Sequence, residues 1–518
     1  MALTETRPET AVSPVVASGG VEPRTTPTAV ERVLGSGDHA VVGRILIGAS
    51  LLFLAIGLVI TALFNLHLAA GDFLEESVGQ RFALAHPLLL LFCGVLPLVL
   101  GLAFSIVPRQ LGASTLLFPR AAAMSLWGWL FGAVLFLVSV FAKGSYGGSS
   151  LEMVRMGHVA IGLIAVSLLV GMVSVMTTIM SARPAGLGIA RIPFTSFAYL
   201  VTGALWLVTI PPFLAQIVLW HIRQPNVIDL TNSAYPQLTW IFLQPALYIA
   251  AIPLLGFLAD SVATAAGTRQ GGYGAMQALI VGFGVFSFGA WAQTEVSRDN
   301  LVWIATSVLV AVPVLGALGA SLNTLRRGNK PVATAGLVAA LLATLTLLLA
   351  IAAGAVQGIA TAGDGELFDL ARGDFATSSP GISTGQFYLV IGAVVVGGLG
   401  ALFGWGSRIV DGGLPKGAGL GLVPLAALGA LVMGLGAAII GLTNAGDIGA
   451  LATVSGIGAL ILGVTTLAAL AALGAAATGR AGDNDDLVGG TLEWFDGAEL
   501  PAIESEYPVL DLNEKGAN

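Results

Sequence analysis

From residue 45 onward the chain alternates long apolar runs with short polar breaks. The runs lie near 45–70, 82–107, 121–142, 157–180, 194–220, 238–259, 275–293, 301–322, 332–360, 384–405, 417–442 and 451–478. About 20 residues of helix cross ~30 Å of hydrocarbon, and each run is about that long or longer. The pattern predicts an all-α integral membrane protein, a twelve-transmembrane-helix bundle. An even number of crossings puts both termini on one side.

The flanks differ from the runs. Residues 1–43 mix Pro, Thr, Val, Ala and Glu with no apolar period, and read as a disordered cytoplasmic lead-in. Residues 44–478 form the membrane domain. Residues 479–518 form a soluble acidic tail carrying Asp483, Asp485, Asp486, Glu493, Asp496, Glu499, Glu504 and Glu506. Two readings of this tail stay open: a solvated extension, or a strap that docks on a partner subunit. Two outer segments, 221–237 and 361–383, are long enough for a small cap. With the N-terminus inside, the inner segments hold 16 Lys and Arg and the outer loops six. That bias places both termini in the cytoplasm and the chain as a multi-pass protein of the plasma membrane.

Composition sharpens this. The chain is 56% apolar and only 10% charged, with a mean hydropathy of +0.90. Soluble domains carry roughly a quarter charged residues, and nothing here points to nucleic acid. One cysteine, Cys93, excludes a disulfide within the chain and a thiolate metal cluster. The 69 glycines suit close helix approach. Imidazole is scarce: His39, His67, His86, His158 and His221 are the whole supply.

Four stretches resemble subunit I of the haem-copper (cytochrome c) oxidases. The first runs from His86 through Pro97, Val107-Pro108, Gly112-Ala113 and Phe118-Pro119-Arg120 to Ser125-Leu126-Trp127. The second runs from Thr177-Thr178-Ile179 to Arg191-Ile192-Pro193. The third is Trp240 to Tyr248, similar to the family's WFFGHPEVY. The fourth is Thr491-Leu492-Glu493-Trp494. Order and spacing extend the resemblance over nearly the whole chain.

The resemblance implies two haems and a copper ion held by six histidines on spans two, six, seven and ten. Imidazole suits both iron and copper. This sequence has no histidine beyond His221. Matching the local motifs leaves His86 as the one surviving ligand. Gln244 stands at the copper histidine of span six, Gln293 and Thr294 at the pair on span seven, and Thr384 and Gln386 at the two ligands of span ten. Gln386 would then be the opposite number of His86. Polar side chains inside a bilayer need partners, so a network among Gln244, Gln293, Thr294 and Gln386 is expected. The family's proton-carrying residues fall at Thr115, Ala246 and Ala317, and the spans look almost free of ionisable groups. Tyr248 of the third motif survives, and reads first as a packing residue with a hydrogen bond. His67 and His158 read as interfacial packing residues, and Glu295 as a solvated carboxylate.

Three functions fit these residues. The first is a pseudoenzyme: a structural or regulatory subunit without metal centres, docked to lipid and to other membrane subunits of a respiratory or copper-enzyme complex. No cofactor is expected in that case. The second is a residual redox protein with a single haem on His86. The third is transport through the emptied cavity.

Overall fold

The computed structural model describes residues 36–71, 74–144, 149–223, 244–293, 301–360, 381–410, 412–443, 448–479, 489–497 and 499–516. Twelve helices among them are long and apolar enough to cross a membrane. They are α1 (His39–Ala70), α2 (Glu76–Gln110), α3 (Pro119–Phe141), α4 (Leu151–Ser181), α5 (Phe194–Arg223) and α6 (Gln244–Ala266). They continue as α7 (Tyr273–Phe286, extended by a tighter turn over Ser287–Gln293), α8 (Leu301–Arg327), α9 (Ala335–Ala360), α10 (Ile382–Gly404), α11 (Lys416–Thr443) and α12 (Gly449–Ala477). A short α13 (Pro508–Gly516) lies in the C-terminal segment. The predicted spans and the observed helices agree one for one. All but α9, which starts three residues inside its run at Ala335, extend past their apolar runs at one end or both, because polar residues continue a helix wherever the backbone can stay bonded.

Consecutive helices pack side by side, and α12 packs back against α1. Three helices are enclosed by the others. The most apolar stretch of α2 is buried along its whole length, and those of α6 and α10 along 94%. By contrast α8 buries only 28% and turns Val308, Val312 and Leu315 outward, as a lipid-facing helix does. A hydrophobic face gains nothing from meeting another in lipid, so packing depends on small residues. At the α11–α12 contact a Cβ on Gly458 would lie 2.2 Å from the Met433 nitrogen.

Helix α2 is irregular at its centre. After Pro87 the winding widens over Leu89–Val95 to a π-type turn, then returns to α-helix at Leu96. The indole N–H of Trp129 on α3 donates to the Phe92 carbonyl within this stretch, at 3.0 Å. Such bulges free carbonyls that need outside donors. Trp129 is fully buried and supplies one.

The described part of the tail is not a freely solvated extension. It packs on its own bundle. Leu492, Glu493 and Trp494 are buried, and Leu500 lies over Gly112. Arg269 pairs with Asp511 at 2.6 Å and with Glu514 at 2.8 Å. Most of the two expected outer caps (224–237 and 361–380) lies outside the described residues.

Candidate functional site

His86 is buried on α2, one residue before Pro87. Its Nδ1 lies 2.8 Å from the Phe82 carbonyl one turn back, so that nitrogen carries the proton. Its Nε2 lies 2.9 Å from the Tyr388 hydroxyl on α10, and with Nδ1 protonated the phenol is the donor. Phe64 of α1 stacks on the ring at 5.2 Å between centroids. Asn65 faces the same phenol and donates its own amide to the Thr61 carbonyl. Both imidazole nitrogens are therefore engaged by protein.

This corrects the sequence reading, which set Gln386 opposite His86. The partner is Tyr388, two residues on. In a helix a step of two turns a side chain to nearly the opposite face, and α10 is buried on both faces. Gln386 points elsewhere and donates to the Tyr248 hydroxyl of α6 at 2.7 Å. Tyr248 lies edge-on to Phe283 of α7. Thr384 is buried. The side chains of Gln244 and Gln293, and Thr294 with Glu295, lie outside the described residues. Of the expected polar network, the structure describes only the Gln386 part, and its partner is Tyr248.

The other histidines sit away from this centre. His67 Nδ1 accepts from the Leu74 backbone N–H at 3.3 Å. His158 is buried and meets the His221 ring edge-on at 6.1 Å.

A second polar cluster lies where the tail meets the bundle. Gln110 is the last residue of α2. Its Oε1 accepts from both the N–H and the hydroxyl of Ser196, at 3.1 and 2.7 Å. That fixes the amide orientation and aims Nε2 at two carboxylates: Asp260 at 3.3 Å and Glu493 at 3.2 Å. Asp260, on α6, also accepts the backbone N–H groups of Phe194 and Thr195 at 3.2 and 2.8 Å. These are orphan donors at the start of α5, and a carboxylate is a natural partner for them. Gly256, one turn before Asp260, allows the approach. A Cβ there would lie 2.4 Å from the Phe194 carbonyl oxygen.

Glu493 is less well satisfied. Gln110 holds Oε1, while Oε2 is buried with no hydrogen-bond partner. Burial pushes Glu493 up to about 7, and the charge of Asp260 adds to the effect. Next to it, Trp494 stacks under the Arg408 guanidinium, which pairs with Asp496. That guanidinium holds the Asp496 carboxyl below the usual range.

Reading the sequence by spans misses this cluster for a definite reason. The apolar run of span six ends at 259 and that of span two at 107, so Asp260 and Gln110 fall just outside. The helices continue through both. A carboxylate next to an apolar run was the available signal. The family motifs also meet here. The Thr178 hydroxyl accepts the Leu117 N–H at 2.9 Å and so ties α4 to the loop between α2 and α3. Tyr273 donates to the Ile192 carbonyl. Arg191 reaches the Glu504 carbonyl.

Residues 41–477 match the family described as cytochrome C and quinol oxidase polypeptide I. The heme-copper oxidase subunit I+III of Aeropyrum pernix is 26% identical over 73% of this chain and 49% of its own length. The cytochrome c oxidase subunit 1 of Bacillus subtilis is 24% identical over 74% of this chain and 64% of its own. The chain therefore spans about half to two thirds of these relatives. A solved heme-copper terminal oxidase dimer shares the fold at a TM-score of 0.64 and 14% identity, over 91% of this chain and 89% of that one.

Proposed function

The chain belongs to the cytochrome c and quinol oxidase polypeptide I family, and from that premise we propose that it is a non-catalytic structural or regulatory membrane subunit. Haem and copper are the groups this family implies, and the residues present do not fit them. The observation that carries the reading is at His86 Nε2: the Phe82 carbonyl accepts the hydrogen bond of the Nδ1 proton, and the lone pair left on Nε2 accepts from the Tyr388 hydroxyl. An axial bond to iron needs a ring nitrogen with a free lone pair. The positions matched to the other five ligands hold Gln or Thr, and the sequence carries no histidine after His221. Amide and hydroxyl oxygens are poor ligands for haem iron and copper.

In this reading the subunit works through association. It sits in the plasma membrane with both termini in the cytoplasm, and joins other membrane subunits of a respiratory or copper-enzyme complex. The Aeropyrum pernix and Bacillus subtilis relatives are themselves named as oxidase subunits. The exposed apolar faces of α3 and α8 are available for helices of other subunits or for lipid.

The test is haem and copper content of the purified full-length protein, by pyridine haemochrome and elemental analysis, in wild type and His86→Ala. Neither group is expected in either sample. A stoichiometric haem in wild type that is lost in His86→Ala would overturn this reading and establish a residual redox protein. Stoichiometric copper would overturn it as well.

A further inference from the structure

We propose that Glu493 is a proton-operated latch: with its proton it holds the C-terminal segment 489–516 on the bundle, and without it the segment lets go. The geometry carries this. Two carboxylates from distant parts of the chain, Asp260 of the bundle and Glu493 of the segment, share the single amide group of Gln110. Ser196 pins that amide from behind, so it cannot turn to serve one side better. Asp260 also takes two backbone N–H groups and is the better satisfied of the two. Glu493 meets Gln110 with one oxygen, and its second oxygen is buried without a partner. The donors to both groups are neutral. A second negative charge in this place would lack compensation, and burying such a charge is costly.

The groups facing Glu493 are Asp260 on α6, Gln110 at the end of α2, Tyr273 at the start of α7, and Thr491 and Tyr507 in the segment itself, while Glu506 faces Tyr273 and Tyr507. Tyr507 titrates well above the neutral range, and its hydroxyl accepts the Gln270 N–H at 3.1 Å. Arg408 is occupied by Trp494 and Asp496. The other charged side-chain ties of the segment, Arg269 with Asp511 and Glu514, and Lys515 with Glu504, lie at its outer face. Glu493 is the buried carboxyl of the segment, and burial brings it to about 7. A cavity of about 30 Å³ lined by Asp260, Ser261, Thr264 and Trp494 lies beside Asp260. It has room for about two waters, enough to satisfy the unpaired Trp494 N–H.

The direction follows from linkage. Glu493 has an ordinary value of 4.5 and stands at about 7 when docked. A raised carboxylate favours the docked state fully below 4.5, and that contribution is lost as pH rises through about 7. The hold on the segment is strongest at acidic pH, weakens as pH rises from 4.5 toward about 7, and has lost this contribution at alkaline pH.

The test is hydrogen–deuterium exchange of residues 489–516 in the full-length protein in detergent micelles. Rates are corrected for intrinsic exchange, from about pH 5.5 to about pH 8.5. Wild type should lose at least about tenfold protection across that range, while Glu493→Gln, which keeps the shape without the charge, should stay protected throughout. A flat wild-type profile, or an equal loss in Glu493→Gln, would overturn the proposal. Infrared titration of wild type gives a second readout that does not depend on the variant folding. A protonated carboxyl C=O band should disappear in step with protection. Its disappearance while the segment stays protected would also overturn the latch.

Discussion

The hydroxyl of Tyr388 sits 2.9 Å from Nε2 of His86, joining α10 to α2 through the nitrogen that a metal would need. A histidine that looks like a ligand in the sequence is here a cross-link between two enclosed helices. Tyr388→Phe should lower stability by about 1–3 kcal/mol, because it strands a buried ring nitrogen. Unfolding in detergent measures this, and the double variant with His86→Ala should recover part of the loss. Fully additive losses would show that the two residues do not depend on each other.

The bond from Gln386 to Tyr248 makes a similar forecast for α10 and α6. Gln386→Leu alone should cost about 1–2 kcal/mol by leaving the phenol short of a partner. Combining it with Tyr248→Phe should give a loss smaller than the sum of the two single losses, since both variants break the same bond. Fully additive losses would contradict this account.

Gly256 tests how the Asp260 site is built. An alanine there meets the Phe194 carbonyl at 2.4 Å, against backbone that cannot yield cheaply. Gly256→Ala should destabilise by about 1–3 kcal/mol. Gly162 on α4 serves as the control, since a Cβ added there would meet nothing within 4 Å. There alanine should be neutral or slightly stabilising, by up to about 1 kcal/mol.

Gln110→Leu removes an amide that joins Ser196, Asp260 and Glu493. Two buried carboxylates then lose their shared donor. The expected loss is about 3 kcal/mol or more, with faster proteolysis of the C-terminal segment as the local sign. Unchanged protease sensitivity would mean that the segment is held by its exposed ion pairs alone, which are worth little individually.

Twelve runs of about 20 apolar residues determine that this chain crosses a membrane as a helical bundle, since no other arrangement satisfies so much backbone in hydrocarbon. Residue counting also settles which side chains exist to do chemistry: one histidine among six motif-matched ligand positions, and glutamine or threonine at the rest. The sequence could not say what those side chains touch. Linear matching placed Gln386 against His86, whereas rotation about α10 brings Tyr388 there and turns Gln386 to Tyr248. Nor could hydropathy find the cluster of Gln110, Asp260 and Glu493. Its members are separated by 150 and 383 residues along the chain, and each lies just beyond an apolar run or in an acidic tail. Only folding sets the ends of α2 and α6 beside the start of α5 and closes the tail over them. Burial then changes what an ordinary glutamate does: removed from water and placed near a second carboxylate, Glu493 holds its proton up to about pH 7.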